Sequence, residues 1–207
     1  MDDHLVETTL GDAMGIGSTL CLSCGMCCRG VLHPDALLDE DERPTAERYD
    51  LTVATKHDGR GTFDLPCNRH HHDTNGCTIY DSRFRVCRRY TCDLLRSVHD
   101  ETVHLDDALQ LAATARSLES AIYARIGGYD PTRTIWQRLT SFVASDGNPD
   151  RSVNADDHAQ LLVDARMLSL LCNRHFEHRM HTRLNAAAPK PAESTGALAP
   201  VPTTEPR

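Results

Sequence analysis

Eight of the nine cysteines fall between Cys21 and Cys92, and they open with the run CLSCGMCC at 21–28. An ordinary globular core has no use for thiols at that density. The set is Cys21, Cys24, Cys27, Cys28, Cys67, Cys77, Cys87 and Cys92, and packed thiolates are the soft ligands that zinc, iron and iron–sulfur clusters prefer. A disulfide scaffold fits less well, because an odd total of nine leaves one thiol over. The start, MDDHLVETTLGDAMG, has neither the basic nor the apolar region of a secretory signal. The expectation is therefore a cytoplasmic protein whose thiols stay reduced. No apolar run approaches bilayer-spanning length, so no membrane partner is expected. A formal net charge of −8 argues against general nucleic-acid binding.

Spacing narrows the roles. A Cys-x-x-Cys pair curls two sulfurs onto one ion, and a glycine directly after it lets the turn close. Cys21, Cys24 and Gly25 fit that knuckle. Cys24 and Cys27 repeat the spacing, so three thiols can meet one cluster, as in bacterial ferredoxins. Cys27 and Cys28 are neighbours, and adjacent side chains in extended backbone project to opposite sides. Cys28 is thus expected to serve a second site or a different role. Eight ligands make two sets of four, which suits two zinc ions, two clusters or one of each. A single site with surplus thiols stays open. Cys87 and Cys92 read as one half-site, with Cys67 and Cys77 closing either set.

The flanking residues carry a resemblance. CLSCGMCCR at 21–29, then Pro66-Cys67, then CTIYDSRFRVCRRYTC at 77–92 resembles the CxxCxxCC proteins, the YkgJ-like cysteine-cluster family of zinc- or iron-chelating domains. The resemblance covers about residues 21–92 and implies metal chelation by all eight cysteines, with an iron–sulfur cluster (4Fe–4S) or Zn2+ in one or two sites. Two departures stand out. Arg83-Phe84 replaces the family's usual Arg-Pro, and NRHHHDTNG lies between Cys67 and Cys77 where an apolar pair is common. Flagellin lysine methylases carry a similar cluster, so methyl transfer to a protein lysine is one implied activity, although this chain is short for such an enzyme.

Four regions separate by composition: a polar lead at 1–20, a cysteine-cluster domain at 21–100, a helical region at 101–182 packed on it, and an Ala/Pro-rich tail at 183–207 expected to be disordered. The cysteine region lacks the apolar surface to fold without metal. Beyond it, Asp106 is a plausible N-cap for a helix with Leu109, Ala112, Leu118, Ile122 and Ile126 on one face, stopped by Gly127-Gly128. Asp130-Pro131 reads as a second helix start, before Ile135, Trp136, Leu139, Phe142 and Val143. Gly147, Asn148 and Pro149 form a turn. Asn154 caps a third helix whose inner stripe is Leu161, Ala165, Leu168 and Cys172. The fold class expected is mainly α, with an irregular, metal-stabilised cysteine-rich region and a small α+β content.

The remaining candidates are weaker. His70, His71 and His72 read as an exposed polar loop, with a nitrogen ligand or proton shuttle as the sharper reading. Cys172, one helical turn from His175, reads as packing, so Cys172→Ala is expected to leave metal content unchanged. Tyr80 reads as a packing residue. Arg83, Arg85, Arg88 and Arg89 are expected to balance thiolate charge, with an anion site as the alternative; Arg83 and Arg88 could also hold Asp81 or donate to sulfur. No phosphate loop or nucleophilic triad is present. Three functions follow: a metal-binding protein with a possible protein partner, an iron–sulfur enzyme or electron carrier, or a zinc/iron delivery factor. Catalytic residues are not identifiable from the sequence.

Overall fold

Helix α1 (Ile16–Cys24) begins before the cysteine run and ends inside it, so the lead and the metal region share an element. The computed structural model describes residues 15–144 and 155–176. After α1 come β1 (Asp35–Leu38), a 3-10 turn at Glu40–Glu42, α2 (Arg43–Arg48), β2 (Val53–Thr55) and β3 (Gly61–Asp64). The strands form one small antiparallel sheet in the order β1-β3-β2. A second 3-10 turn at Tyr80–Ser82 leads to α3 (Arg85–Arg89) and α4 (Asp93–His99). Three longer helices complete the chain: α5 (Leu105–Arg125), α6 (Ile135–Ala144) and α7 (Ala155–His175). The mainly α class with a little β holds. None of the described helices is long and apolar enough to cross a membrane.

Two separate apolar cores result. The larger joins α1, α4, α5, α6 and α7 through residues such as Leu20, Met26, Leu94, Ile122, Leu161, Leu168 and Phe176. The smaller lies under the sheet and holds only Leu38, Ala46, Leu51, Phe63, Leu65 and Phe84 as buried members. Along α5 the fully buried positions are Ala108, Ala112, Ala115, Glu119 and Ile122, while Leu109 and Leu118 pack at the edge. Small residues face inward there because α1 and α7 both lie close against this helix. The stripe on α7 is as expected, with Leu161, Leu168 and Cys172 fully buried. Cys172 is a packing residue.

Helix starts differ in detail from the sequence reading. The N-cap of α5 is His104, and Asp106 sits in its first turn, where a carboxylate suits the helix dipole. Asp130 closes a local turn, accepting from the Thr132 amide at 2.8 Å and its hydroxyl at 2.7 Å. The start of α6 is instead a capping box. Thr134 Oγ1 accepts from the Gln137 amide at 3.2 Å, and Gln137 Oε1 accepts from the Thr134 amide at 2.8 Å. Gly127 and Gly128 end α5 as expected, both at φ 92. The 147–149 turn, the Asn154 cap and the tail from 183 lie outside the described residues.

Candidate metal centre

The last turn of α1 carries Cys21 and Cys24, and Gly25 closes it in the left-handed conformation (φ 68), its amide donating to the Cys21 carbonyl at 3.1 Å. A tight turn follows, in which Gly30 donates to the Cys27 carbonyl at 3.0 Å and Val31 to the Met26 carbonyl at 3.0 Å. Fully buried Met26 anchors this turn in the larger core. Cys67 is stitched to it, its amide donating to the Cys28 carbonyl at 2.8 Å. Cys67 and Cys77 then lie at the two ends of the histidine loop, which closes through His71 N–H to the Gly76 carbonyl and Thr78 N–H to the Arg69 carbonyl, both 2.8 Å. Cys87 rides on α3. Cys92 is the N-cap of α4, its sulfur accepting from the Leu95 amide at 3.4 Å.

All eight thiols line one cavity of about 290 Å³ between the two cores, walled by Leu20, Met26 and Phe176 on one side and Phe63 and Phe84 on the other. Burial pushes the Cys24 thiol up to about 12, with Cys92 and Cys21 adding to the rise while the Met26 amide opposes it. Burial likewise raises Cys27, reinforced by Cys24, Cys28, Cys92 and Cys21. Burial raises Cys28 as well, reinforced by Cys67, Cys87 and Cys77 and then by Cys21. Cys87 is pushed up to about 12 by burial and then by Cys67 and Cys77. The strongest thiol neighbours of the adjacent pair differ, Cys24 for Cys27 and Cys67 for Cys28, while Cys28 also acts on Cys27 and Cys21 on Cys28.

Among the described residues, no three His, Cys, Asp or Glu side chains close on a point as a ready-made metal site. The thiols share a chamber without converging further. The donor set still suits a soft cation: burial raises Cys21, Cys24, Cys27, Cys28, Cys67, Cys87 and Cys92, and thiols so held in the neutral form gain most from a positive charge placed among them. The histidines divide. His71 is exposed, but His70 lines the cavity, burial lowers its pKa to about 4, and both its ring nitrogens are buried without a geometrically sound hydrogen bond. A neutral imidazole so placed is a candidate nitrogen ligand.

Gly25 fixes the pocket floor. A Cβ there would stand 2.2 Å from Asn75 Oδ1 and 2.9 Å from His70 Nε2, on backbone that already disfavours L side chains. Gly25→Ala is expected to cost about 2–4 kcal/mol, read as a lowered denaturant midpoint. An unchanged midpoint would mean that the turn can reopen without displacing the histidine loop.

Charge balance is distributed differently from the sequence expectation. Of the four arginines near the last cysteines, Arg83 acts on Cys21 and Cys87. Its guanidinium lies 3.6 Å from the centre of the Tyr80 ring, which gives that tyrosine its packing role. Arg85 turns away to Asp39 at 2.7 Å and to Asp41. Arg88 and Arg89 are exposed. Sequence reasoning missed the residues that hold the thiol loops from behind. Buried Arg29 donates to Glu119 Oε2 at 3.1 Å, to the His72 carbonyl at 2.8 Å and to Asn75 Oδ1 at 3.3 Å, and Asn75 donates to the Leu22 carbonyl at 2.5 Å. No spacing rule links residues 29, 75 and 119.

Residues 20–108, less than half of the chain, match the family model CxxCxxCC, described as "Putative zinc- or iron-chelating domain". No curated protein and no solved structure matches the chain.

Proposed function

We propose, taking residues 20–108 as a zinc- or iron-chelating domain of the CxxCxxCC family, that the chain holds two thiolate metal centres. One uses Cys21, Cys24, Cys27 and Cys92, the other Cys28, Cys67, Cys77 and Cys87. What supports this reading is that Cys24 acts most strongly on Cys27, whereas Cys67, Cys87 and Cys77 act most strongly on Cys28. Iron, as an iron–sulfur cluster, is the preferred occupant, since a CxxCxxC run offers three thiols to one inorganic core. Such a cluster would supply one-electron chemistry; the protein supplies the ligands, a largely apolar wall and the backbone amides that point at Cys24, Cys67 and Cys92. The left-handed Gly25 favours a second reading, two zinc ions in knuckle-type sites that organise the fold and a partner surface.

Iron, zinc and acid-labile sulfide per chain, measured on anaerobically purified protein together with its absorption spectrum, test the choice. Brown protein containing sulfide supports the cluster; colourless protein with about two zinc per chain supports the knuckles. The partition has its own test. Cys24→Ala and Cys28→Ala should each remove one centre and spare the other, and the double variant should remove both. If either single variant loses all metal, the two-centre assignment fails. Metal that leaves to a weak chelator with the fold intact would favour delivery over a resident role.

A further inference from the structure

Outside the thiol chamber, one face of α5 and the histidine loop enclose an open cavity of about 390 Å³ lined by Arg29, His72, Asp73, Arg116, Ser117 and Ser120. Two arginines and a histidine stand among its lining residues. Arg116 Nε and His72 Nε2 are both buried with no hydrogen-bond partner among the described residues. An unpaired buried donor costs on the order of 1–3 kcal/mol, so each such group calls for an occupant. The chain has acids to spare, 30 against 22 lysines and arginines. The other partly or fully buried arginines that pair with acids do so at close range: Arg29 with Glu119, Arg85 with Asp39, and Arg125 with Asp164. Arg116 has no such carboxylate within ion-pair distance among the described residues. The one acid on the cavity wall, Asp73, has a fully exposed side chain and stands beside His72 Nδ1 at 3.6 Å. Arg116 and Ser120 share a face of α5 at i and i+4, and Ser117 borders the same opening, so a guanidinium and two hydroxyls line it.

We propose that this cavity binds a small oxyanion, a phosphate group in first place, with Arg116 as the principal donor. Three donor types spread around one opening suit a tetrahedral anion with several acceptor oxygens better than a flat carboxylate, which asks for a single fork. His72 Nε2 donates in one neutral tautomer and in the imidazolium, and its ring is held in place by face-to-face stacking on Tyr129 at 3.9 Å. Arg29, already committed to Glu119, forms the positive back wall. The site is independent of which metal the thiols hold.

Titration of the full-length, metal-loaded protein with inorganic phosphate at low ionic strength tests the assignment, with acetate as the second probe. Saturable one-to-one binding is expected, tighter for phosphate than for acetate. Arg116→Gln should weaken phosphate binding by about tenfold, with metal content and melting temperature unchanged. Absence of saturable phosphate binding overturns the proposal. So does phosphate affinity that survives Arg116→Gln intact. If acetate binds more tightly than phosphate, the assigned ligand class is wrong.

Discussion

Removing the metal is expected to cost the cysteine domain its fold while leaving the α5–α7 helices largely in place. The smaller core has six buried members, one of them an alanine, and it is covered by strands of three or four residues and helices of six and five. Elements that short do not persist without something to hold them. Structural zinc sites contribute about 10–16 kcal/mol apparent free energy at neutral pH, far more than such a core can replace. Helices α5 and α7 bury their own faces against each other and need no ion. Chelation or cluster destruction should therefore lower far-ultraviolet ellipticity in part and drop the main melting transition by tens of degrees, at roughly 2–4 °C per kcal/mol for a chain of this size. Superimposable melts with and without metal would show that the thiols are not a structural centre.

The same argument fixes opposite pH responses for the two forms. Any metal-free molecule that keeps the chamber closed holds buried thiols that titrate above their ordinary value, Cys24 moving from 9.0 to about 12. Between those values the folded state holds a proton that the unfolded chain has released, so stability is intact below about pH 9 and declines above it. The metal-loaded protein needs the thiolates, so protons compete with the ion and stability falls on acidification. Buried metal-free thiols thus predict an alkaline limit, and bound metal an acid one.

What could be read in the sequence follows the range of the interactions. The turn after Cys24 was legible because Gly25 follows the Cys-x-x-Cys pair directly, and it closes α1 in the left-handed conformation. Periodicity placed α5 and α7, because buried stripes repeat within one helix. The failures are all nonlocal or competitive. Arg29, Asn75 and Glu119 lie far apart in the chain, so no local pattern could join them. At α6 the start read at Asp130-Pro131 gave way to the Thr134–Gln137 box, while Asp130 spent its carboxylate on Thr132. Arg85 had a nearer claim on its charge in the acidic turn at Glu40–Glu42.

The second large effect is expected at Glu119, which lies beyond the family match and is fully buried on α5. Its partner, Arg29, directly follows the double cysteine and ties together the turn at 26–30, the histidine loop and α1 through the contacts described above. Glu119→Ala would leave that guanidinium buried and uncompensated, which costs about 3–5 kcal/mol and should lower the melting temperature by roughly 6–20 °C. Glu119→Gln retains an acceptor for Arg29 and should lose much less. The pair also carries a pH signature. Burial pushes Glu119 up to about 7, against the pull of Arg29. The folded state then holds a proton over a range where the unfolded chain, near 4.5, has lost it. Stability from this residue is therefore greatest at low pH and diminishes as pH rises through 7. That downward slope should vanish in Glu119→Gln at constant metal loading. A slope unchanged by the substitution would place the titrating group elsewhere. Equal destabilisation by Ala and Gln would show that the charge on Glu119, rather than its hydrogen bond, holds Arg29 against the helix.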